Sequence, residues 1–264
     1  MNSAHRPRKR FGQHFLVDSE TISRIVEAIA PQANDTLVEI GPGEGAITHA
    51  LAARSGKLHA IEFDRDLAAG LKRQFSDRHS VQVHQADAMK FDYSSLGTDL
   101  RIAGNLPYNI STPLLFHLVE HREHIRDMHF MLQKEVVDRI TASPGSKAYG
   151  RLTVMLGCFM ESLPLFDVGP ESFRPPPKVW SSVLRMRPLP VAHFDLGHPQ
   201  VLSRLVVQAF GKRRKTIRNA LKGFASEEQL IACGIDPGAR PEQVAIDRWV
   251  SLANSAAGQN EQAK

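Results

Sequence analysis

Leu37-Val38-Glu39-Ile40-Gly41-Pro42-Gly43-Glu44-Gly45 reads as a short buried strand that runs straight into a glycine-rich turn, and a helix of small residues, 46–53, follows at once. Glycine at every second position lets the backbone turn tightly and lets a ligand come close to it. No Gly-Lys-Ser/Thr follows, so this is not a phosphate-gripping P-loop. A dinucleotide would want Gly-x-Gly-x-x-Gly with room for its pyrophosphate, which counts against a dehydrogenase. Taken alone, the same letters serve any tight strand-to-helix turn.

Working outward, the pattern repeats. Upstream, Asp18 or Ser19 caps a helix whose Ile22, Ile25, Val26 and Ile29 fall at helical spacing, and Pro31 stops it. Downstream, strands are expected at 57–62, 81–84, 100–104 and 128–132, alternating with helices at 66–75, 112–119 and from 135 to 141. Thr112 is expected to cap the second of these, with Pro113 at its first helical position. Two further strands are expected at 154–159 and 179–186. Strands alternating with helices predict an α/β fold, a doubly wound parallel sheet with helices on both faces. Residues 188–199 carry three prolines and read as a linker. Beyond it the pattern is helical: 201–210, 216–221, a capping box at Ser226 to Gln229, a last helix at 242–253, and a polar tail, 258–264, expected to be disordered. Two domains are therefore expected, 1–190 and a small all-α unit, 191–264.

Composition narrows the setting. Of 264 residues, 42% are hydrophobic, an ordinary fraction for a globular chain, and no uninterrupted apolar stretch is long enough to span a bilayer. The basic N-terminus lacks the apolar core of a secretory signal. Cys158 and Cys233 form no metal-spaced motif and read as free thiols, which suits a cytoplasmic location. The His-rich stretch 116–124 is too loosely spaced for a metal site and reads as a solvated helix end. The net charge of +5 is concentrated. Arg6, Arg8, Lys9 and Arg10 precede the first acidic residue, Asp18, and Lys212, Arg213, Arg214, Lys215, Arg218 and Lys222 form a second cluster. Such clusters suit a nucleic-acid partner, and equally a solvated face.

The strand ends carry the chemistry. Glu62 closes the second strand about 20 residues after Gly41, where a carboxylate accepts from both hydroxyls of a ribose. Phe63 beside it offers a ring to an adenine face, and Asp87, ending the third strand, an acceptor for an adenine amine. An adenosine without a pyrophosphate fits S-adenosyl-L-methionine, whose sulfonium delivers a methyl group. The fourth strand runs into Asn105-Leu106-Pro107-Tyr108. An adenine amine is a poor nucleophile because its lone pair is delocalised into the ring. Hydrogen bonds accepted from its NH2 by the Asn105 side chain and the Leu106 carbonyl favour a pyramidal nitrogen. Pro107 biases Leu106 away from the α region and so aims that carbonyl, and Tyr108 offers a stacking face. Phe173, before Pro175-Pro176-Pro177, is a rigidly placed aromatic for the other face of an extruded base. The plainer alternatives are a proline turn after a strand, a cap at Asp87, and a core phenylalanine.

Arg10-Phe-Gly-Gln-His-Phe-Leu16, Glu39-Ile-Gly-Pro-Gly-Glu-Gly45, Asn105-Leu-Pro-Tyr-Asn-Ile-Ser-Thr-Pro113 and Phe173-Arg-Pro-Pro-Pro-Lys-Val179 together resemble the rRNA adenine N6-dimethyltransferases. Gln133-Lys-Glu-Val-Val137 and Lys212-Arg-Arg-Lys-Thr-Ile-Arg218 resemble the bacterial small-subunit branch of that family. The resemblance implies a class I methyltransferase, Rossmann-like fold with a small helical C-terminal domain. It implies dimethylation of two adjacent adenosines in a hairpin loop near the 3′ end of 16S rRNA in assembling 30S subunits, with S-adenosyl-L-methionine as donor. It places the cofactor against His14, Leu16, Gly41, Glu62, Asp87 and Asn105. The target base falls near Asn105, Leu106 and Tyr108, with Phe173 stacking from the far side. Lys212 to Arg218 would track rRNA phosphates. His14 departs from the family pattern, which has Asn there; an imidazole still offers one donor or acceptor. A monomer is expected. Two other readings remain open: a ribosome-assembly RNA-binding factor whose catalysis is dispensable, and a large-subunit rRNA adenine methyltransferase.

Overall fold

The structure, a computed structural model, describes residues 14–190 and 193–262. Arg8, Lys9 and Arg10 lie outside the described residues. The chain divides into two units, one running to Val137 and resuming at Ser162–Pro188, the other made of Asp138–Glu161 and Leu189–Lys264. The linker expected at 188–199 coincides with the second passage between them. The excursion Asp138–Glu161, expected in the first domain, groups with the helical unit instead.

The first unit is built on a seven-stranded sheet. Its strands are β2 (Thr36–Ile40), β3 (Lys57–Glu62), β4 (Val81–Gln85), β5 (Leu100–Asn105), β6 (Ile125–Gln133), β7 (Met160–Val168) and β9 (Ser181–Pro188), in the order β4-β3-β2-β5-β6-β9-β7. The first five in that order are parallel, and β9 runs antiparallel to β6. A separate ribbon pairs β1 (Phe15–Leu16) with β8 (Phe173–Arg174). Helices α1 (Ser19–Ile29), α2 (Ala46–Ala52), α3 (Arg65–Gln74), α4 (Ser111–Glu120) and α5 (Lys134–Ile140) alternate with the strands. Covered on both faces, β2 and β5 are buried almost end to end, as central parallel strands must be. Their closeness fixes Gly104: a Cβ there would lie 2.4 Å from the Ile40 carbonyl oxygen.

The order matters for function. From β2 the chain steps one way to β3 and β4, then returns to lay β5 and β6 on the other side. Strand direction of travel reverses between β2 and β5, and the crevice beyond their carboxyl ends is where open α/β sheets bind ligands. At the opposite end of the same strands sits a buried ion network. Arg101 pairs with Asp35 at 2.8 Å and Asp127 at 3.0 Å, and also donates to the carbonyls of Ile29 and Ala30 at the end of α1. Arg126 takes the other Asp35 oxygen at 3.0 Å.

Three local expectations are corrected. Residues 154–159 are not a strand; they lie in and after the helix α6 (Arg151–Gly157), and the strand is β7. Thr153 to Leu156 are all buried, so α6 shows no polar face and its period is hidden. Pro164 breaks the strand pattern of β7, yet is tolerated because β7 is an edge strand. The cap of α4 is Ile110, not Thr112, and makes no side-chain bond. The chain turns directly from Pro107 into the helix, with Ile110 N–H donating to the Pro107 carbonyl at 3.2 Å. His117 and His121, expected to be solvated, pack edge-on against each other, and both rings lie against Tyr93.

In the helical unit, α7 (Pro199–Gly211), α8 (Ile217–Ala220), α9 (Glu227–Ala232) and α10 (Ile246–Gln262) bury Leu205, Ile217, Leu230 and Trp249. The Ser226 capping box is present: Ser226 Oγ accepts from Gln229 N–H at 3.2 Å and Gln229 Oε1 accepts from Ser226 N–H at 2.8 Å. Helix α10 continues to Gln262, through most of the stretch expected to be a disordered tail.

Candidate active site

A cleft of about 680 Å³ opens at the carboxyl ends of β2 to β5, a size suited to a small-molecule ligand. It brings together His14, Leu16, Gly41, Gly43, Glu62, Phe63, Asp87, Asn105, Leu106, Pro107 and Tyr108, which the sequence scatters over nearly a hundred positions. As β2 ends, Gly41 N–H donates to the Ile61 carbonyl at 2.9 Å. Gly43 has φ +60°, in the left-handed region, and a Cβ on it would sit 3.1 Å from the Phe15 ring. Only glycine meets both demands. The reward is an N–H aimed into the site: Gly43 N–H donates to Glu62 Oε2 at 3.1 Å. Glu62 Oε1 accepts from Asp64 N–H at 2.8 Å, so two backbone donors hold the carboxylate in place at 6% exposure. Burial raises its pKa, and these bonds oppose the rise. Phe63 stands exposed on the wall beside it, and Asp87 is held by Met89 N–H on its Oδ1 at 3.0 Å.

Asn105 is oriented by the strap that precedes α1. Its Nδ2 donates to the His14 carbonyl at 3.1 Å, which fixes the amide and turns Oδ1 away from that bond. Among the described residues nothing donates to Oδ1 or to the Leu106 carbonyl. Two acceptors without a donor among the described residues thus flank one turn. The Leu106 N–H is spent on the Met131 carbonyl at 3.2 Å, which ties the turn to β6. Tyr108 is half-buried, with its hydroxyl 3.0 Å from Ser181 Oγ, and burial raises its pKa. The His14 ring stacks on Tyr108, centroids 5.9 Å apart, while its Nδ1 donates to the Pro175 carbonyl at 2.6 Å.

Phe173 is not in the cleft. It is 2% exposed and lies in the core with Leu16, Val168 and Val183. In a two-residue strand, neighbours face opposite ways; Phe173 faces in and Arg174 faces out. The plainer alternative, a core ring before a proline run, is the one the structure shows.

Sequence reasoning also passed over Glu39. It lines the cleft at 2% exposure, Oε2 has no hydrogen-bond partner, and burial, with the nearby Glu62 charge adding to it, pushes its pKa up to about 7. An acidic residue within an otherwise apolar buried strand was the available signal.

The family model described as "Ribosomal RNA adenine dimethylase" matches residues 4–258. The chain belongs to the ribosomal RNA adenine dimethylase family. That makes it an S-adenosyl-L-methionine-dependent methyltransferase acting on rRNA. It is 53% identical over 251 residues to "Ribosomal RNA small subunit methyltransferase A" of Methylococcus capsulatus, covering 94% of this chain and 97% of that one. It is 51% identical over 261 residues to the protein of the same name from Aromatoleum aromaticum, covering 99% and 98%. Among solved structures, a dimethyladenosine transferase from Plasmodium falciparum shares the fold, with TM-score 0.82, 23% identity and coverage of 94% and 98%. The 23S rRNA methyltransferase ErmE matches with TM-score 0.73, 26% identity and coverage of 92% and 99%. The class I methyltransferase fold expected of the family is the fold observed.

The second basic cluster divides on inspection. Arg213 donates to the Lys147 carbonyl at 2.6 Å and approaches Glu242, and Arg218 pairs with Glu227 at 3.1 Å. Lys212, Arg214 and Lys215 are exposed and have no described ion-pair partner.

Proposed function

We propose that this chain dimethylates the N6 amines of two adjacent adenosines in the 3′-terminal hairpin loop of 16S rRNA, in assembling 30S subunits, as a cytoplasmic monomer. The observation that carries the reading is the convergence of Glu62, Asp87 and Asn105 on one cleft at the switch point of the sheet. The residues fit the donor. Glu62 is pre-set to accept from a ribose, Asp87 from an adenine amine, and the glycine turn leaves space beside the backbone. When bound, S-adenosyl-L-methionine supplies an electrophilic methyl on sulfur.

The chain's own part is to prepare the acceptor nitrogen. Asn105 Oδ1 and the Leu106 carbonyl take hydrogen bonds from the two N6 protons and localise the nitrogen lone pair. Tyr108 holds the base flat. The new N–C bond would form as the donor's S–CH3 bond breaks, its electron pair staying on sulfur to leave a neutral thioether; the methylated amine, cationic at first, loses one proton to water, so no side chain of unusual basicity is required. His14 now lies on Tyr108, so the base enters by displacing it or by using the other face. The relatives at 51–53% identity are named as small-subunit methyltransferases, which favours the small subunit over the large.

Transfer of labelled methyl groups to 30S precursors, against 50S subunits and naked rRNA, tests the substrate. An Asn105→Ala variant, assayed at saturating cofactor, is expected to lose on the order of a hundredfold or more in turnover. Normal turnover by that variant overturns the role given to Asn105. The exposed Lys212, Arg214 and Lys215 also suit an assembly factor. Normal subunit maturation in cells carrying only the inactive variant would show that binding suffices.

A further inference from the structure

Trp180 stands apart from the core and from the machinery above. It is 54% exposed, and no described ring packs on it. Isolated exposed apolar side chains are common and mean little alone. Its position gives this one content. Its carbonyl accepts from Lys134 N–H at 2.9 Å, just past the point where Ser181 pairs with Gln133. Ser181, one residue away at a Cα spacing of about 3.8 Å, is fully buried and meets the Tyr108 hydroxyl at 3.0 Å. Met131 pairs with Asn105, so this end of β6 lies at the edge of the sheet where the cleft opens. The backbone of Trp180 is clamped one residue from the Ser181–Tyr108 contact, while its indole is exposed to solvent. Arg174 and Lys178 on the same short segment are exposed, with no described ion-pair partner. Prolines 175–177 between them restrict the backbone.

An aromatic plane flanked by exposed cations is what a single-stranded nucleic acid recognises: bases stack, phosphates pair. When an adenosine leaves its stack to reach a methyl donor, the nucleotide beside it loses a stacking partner. We propose that Trp180 replaces that partner, forming a platform for the base adjacent to the target adenosine, with Arg174 and Lys178 on the flanking phosphates. The proposal rests on the Asn105–Tyr108 turn being the target-base site.

The chain has two tryptophans, and the other, Trp249, is fully buried in the helical unit. A change in tryptophan emission on adding RNA therefore reports Trp180. Full-length protein is titrated with naked 16S rRNA, which has no tryptophan, while filter retention confirms that a complex forms. Emission is expected to fall for the wild type and to stay constant for Trp180→Phe. In methyl transfer to 30S precursors, Trp180→Ala is expected to raise KM for RNA by roughly tenfold or more. Its kcat and cofactor affinity should stay within about threefold of wild type, and Trp180→Phe should restore most of the loss. Complex formation without quenching, or an unchanged KM in Trp180→Ala, overturns the platform. Quenching by RNA in a protein that transfers no methyl group would uphold the platform and strike the target-base site instead.

Discussion

Glu39 carries a pH dependence that one substitution isolates. In the folded chain its pKa is about 7, above the ordinary 4.5, because burial disfavours the carboxylate. Between those two values Glu39 holds more proton in the folded chain than in the unfolded one, so its own contribution to stability falls as pH rises and levels off above about 7. Glu39→Gln removes the titration. Its stability relative to wild type is expected to improve steadily from pH 4.5 to 7, read by urea unfolding at each pH. A gap that does not change with pH would show Glu39 titrating normally. At this scale the sequence was legible where a residue's chemistry needs a strand end: Glu62, Asp87 and Asn105 were read at the ends of successive strands, and the cleft brings them together. Phe173 could not be placed this way. Which side of a two-residue strand faces the core depends on a pairing partner, β1, more than 150 positions away, and the proline run says nothing about it.

Among the elements, β5 is held by Arg101 at its start and makes the site at its end. Removing the guanidinium leaves Asp35 and Asp127 buried without their main partner. Arg101→Met is therefore expected to destabilise the fold by about 3–5 kcal/mol, measured by chemical denaturation, with cofactor affinity little changed under native conditions. A loss below about 1 kcal/mol would mean that water reaches the two carboxylates. Elements whose burial leaves a plain pattern were legible: α1, buried on one side, shows its apolar stripe, and the strands β2 and β5, central in the sheet, show near-continuous apolar runs. The stretch from 151 to 168 was misread for two physical reasons. A helix buried all round has no amphipathic period, and a proline in an edge strand looks like a break. The start of α4 was misread because Thr112 resembles a cap, whereas the Pro107 turn enters the helix without one.

For the molecule as a whole, charge is the long-range term. Each phosphate contact by an exposed cation contributes a slope of roughly 0.7–0.9 to the salt dependence of binding. Replacing Lys212, Arg214 and Lys215 together by Ala is expected to weaken rRNA binding and to flatten that slope by about two to three. Arg213→Ala, in contrast, should act on stability, since its side chain is spent on Lys147 and Glu242. An unchanged slope in the triple variant would mean that this loop does not touch RNA. The division into units was half legible: the proline-rich linker marks one passage, but nothing local marks Asp138–Glu161 as belonging with the helices that follow Leu189.

The strands of the sheet thus have two poles, an ionic lock at one and the reacting groups at the other. Loss of Arg101 is expected to lower stability, and loss of the Asn105 amide to lower turnover with the fold intact. That separation gives the crevice latitude to vary, so an altered base preference can be sought there by substitution without first shoring up the scaffold.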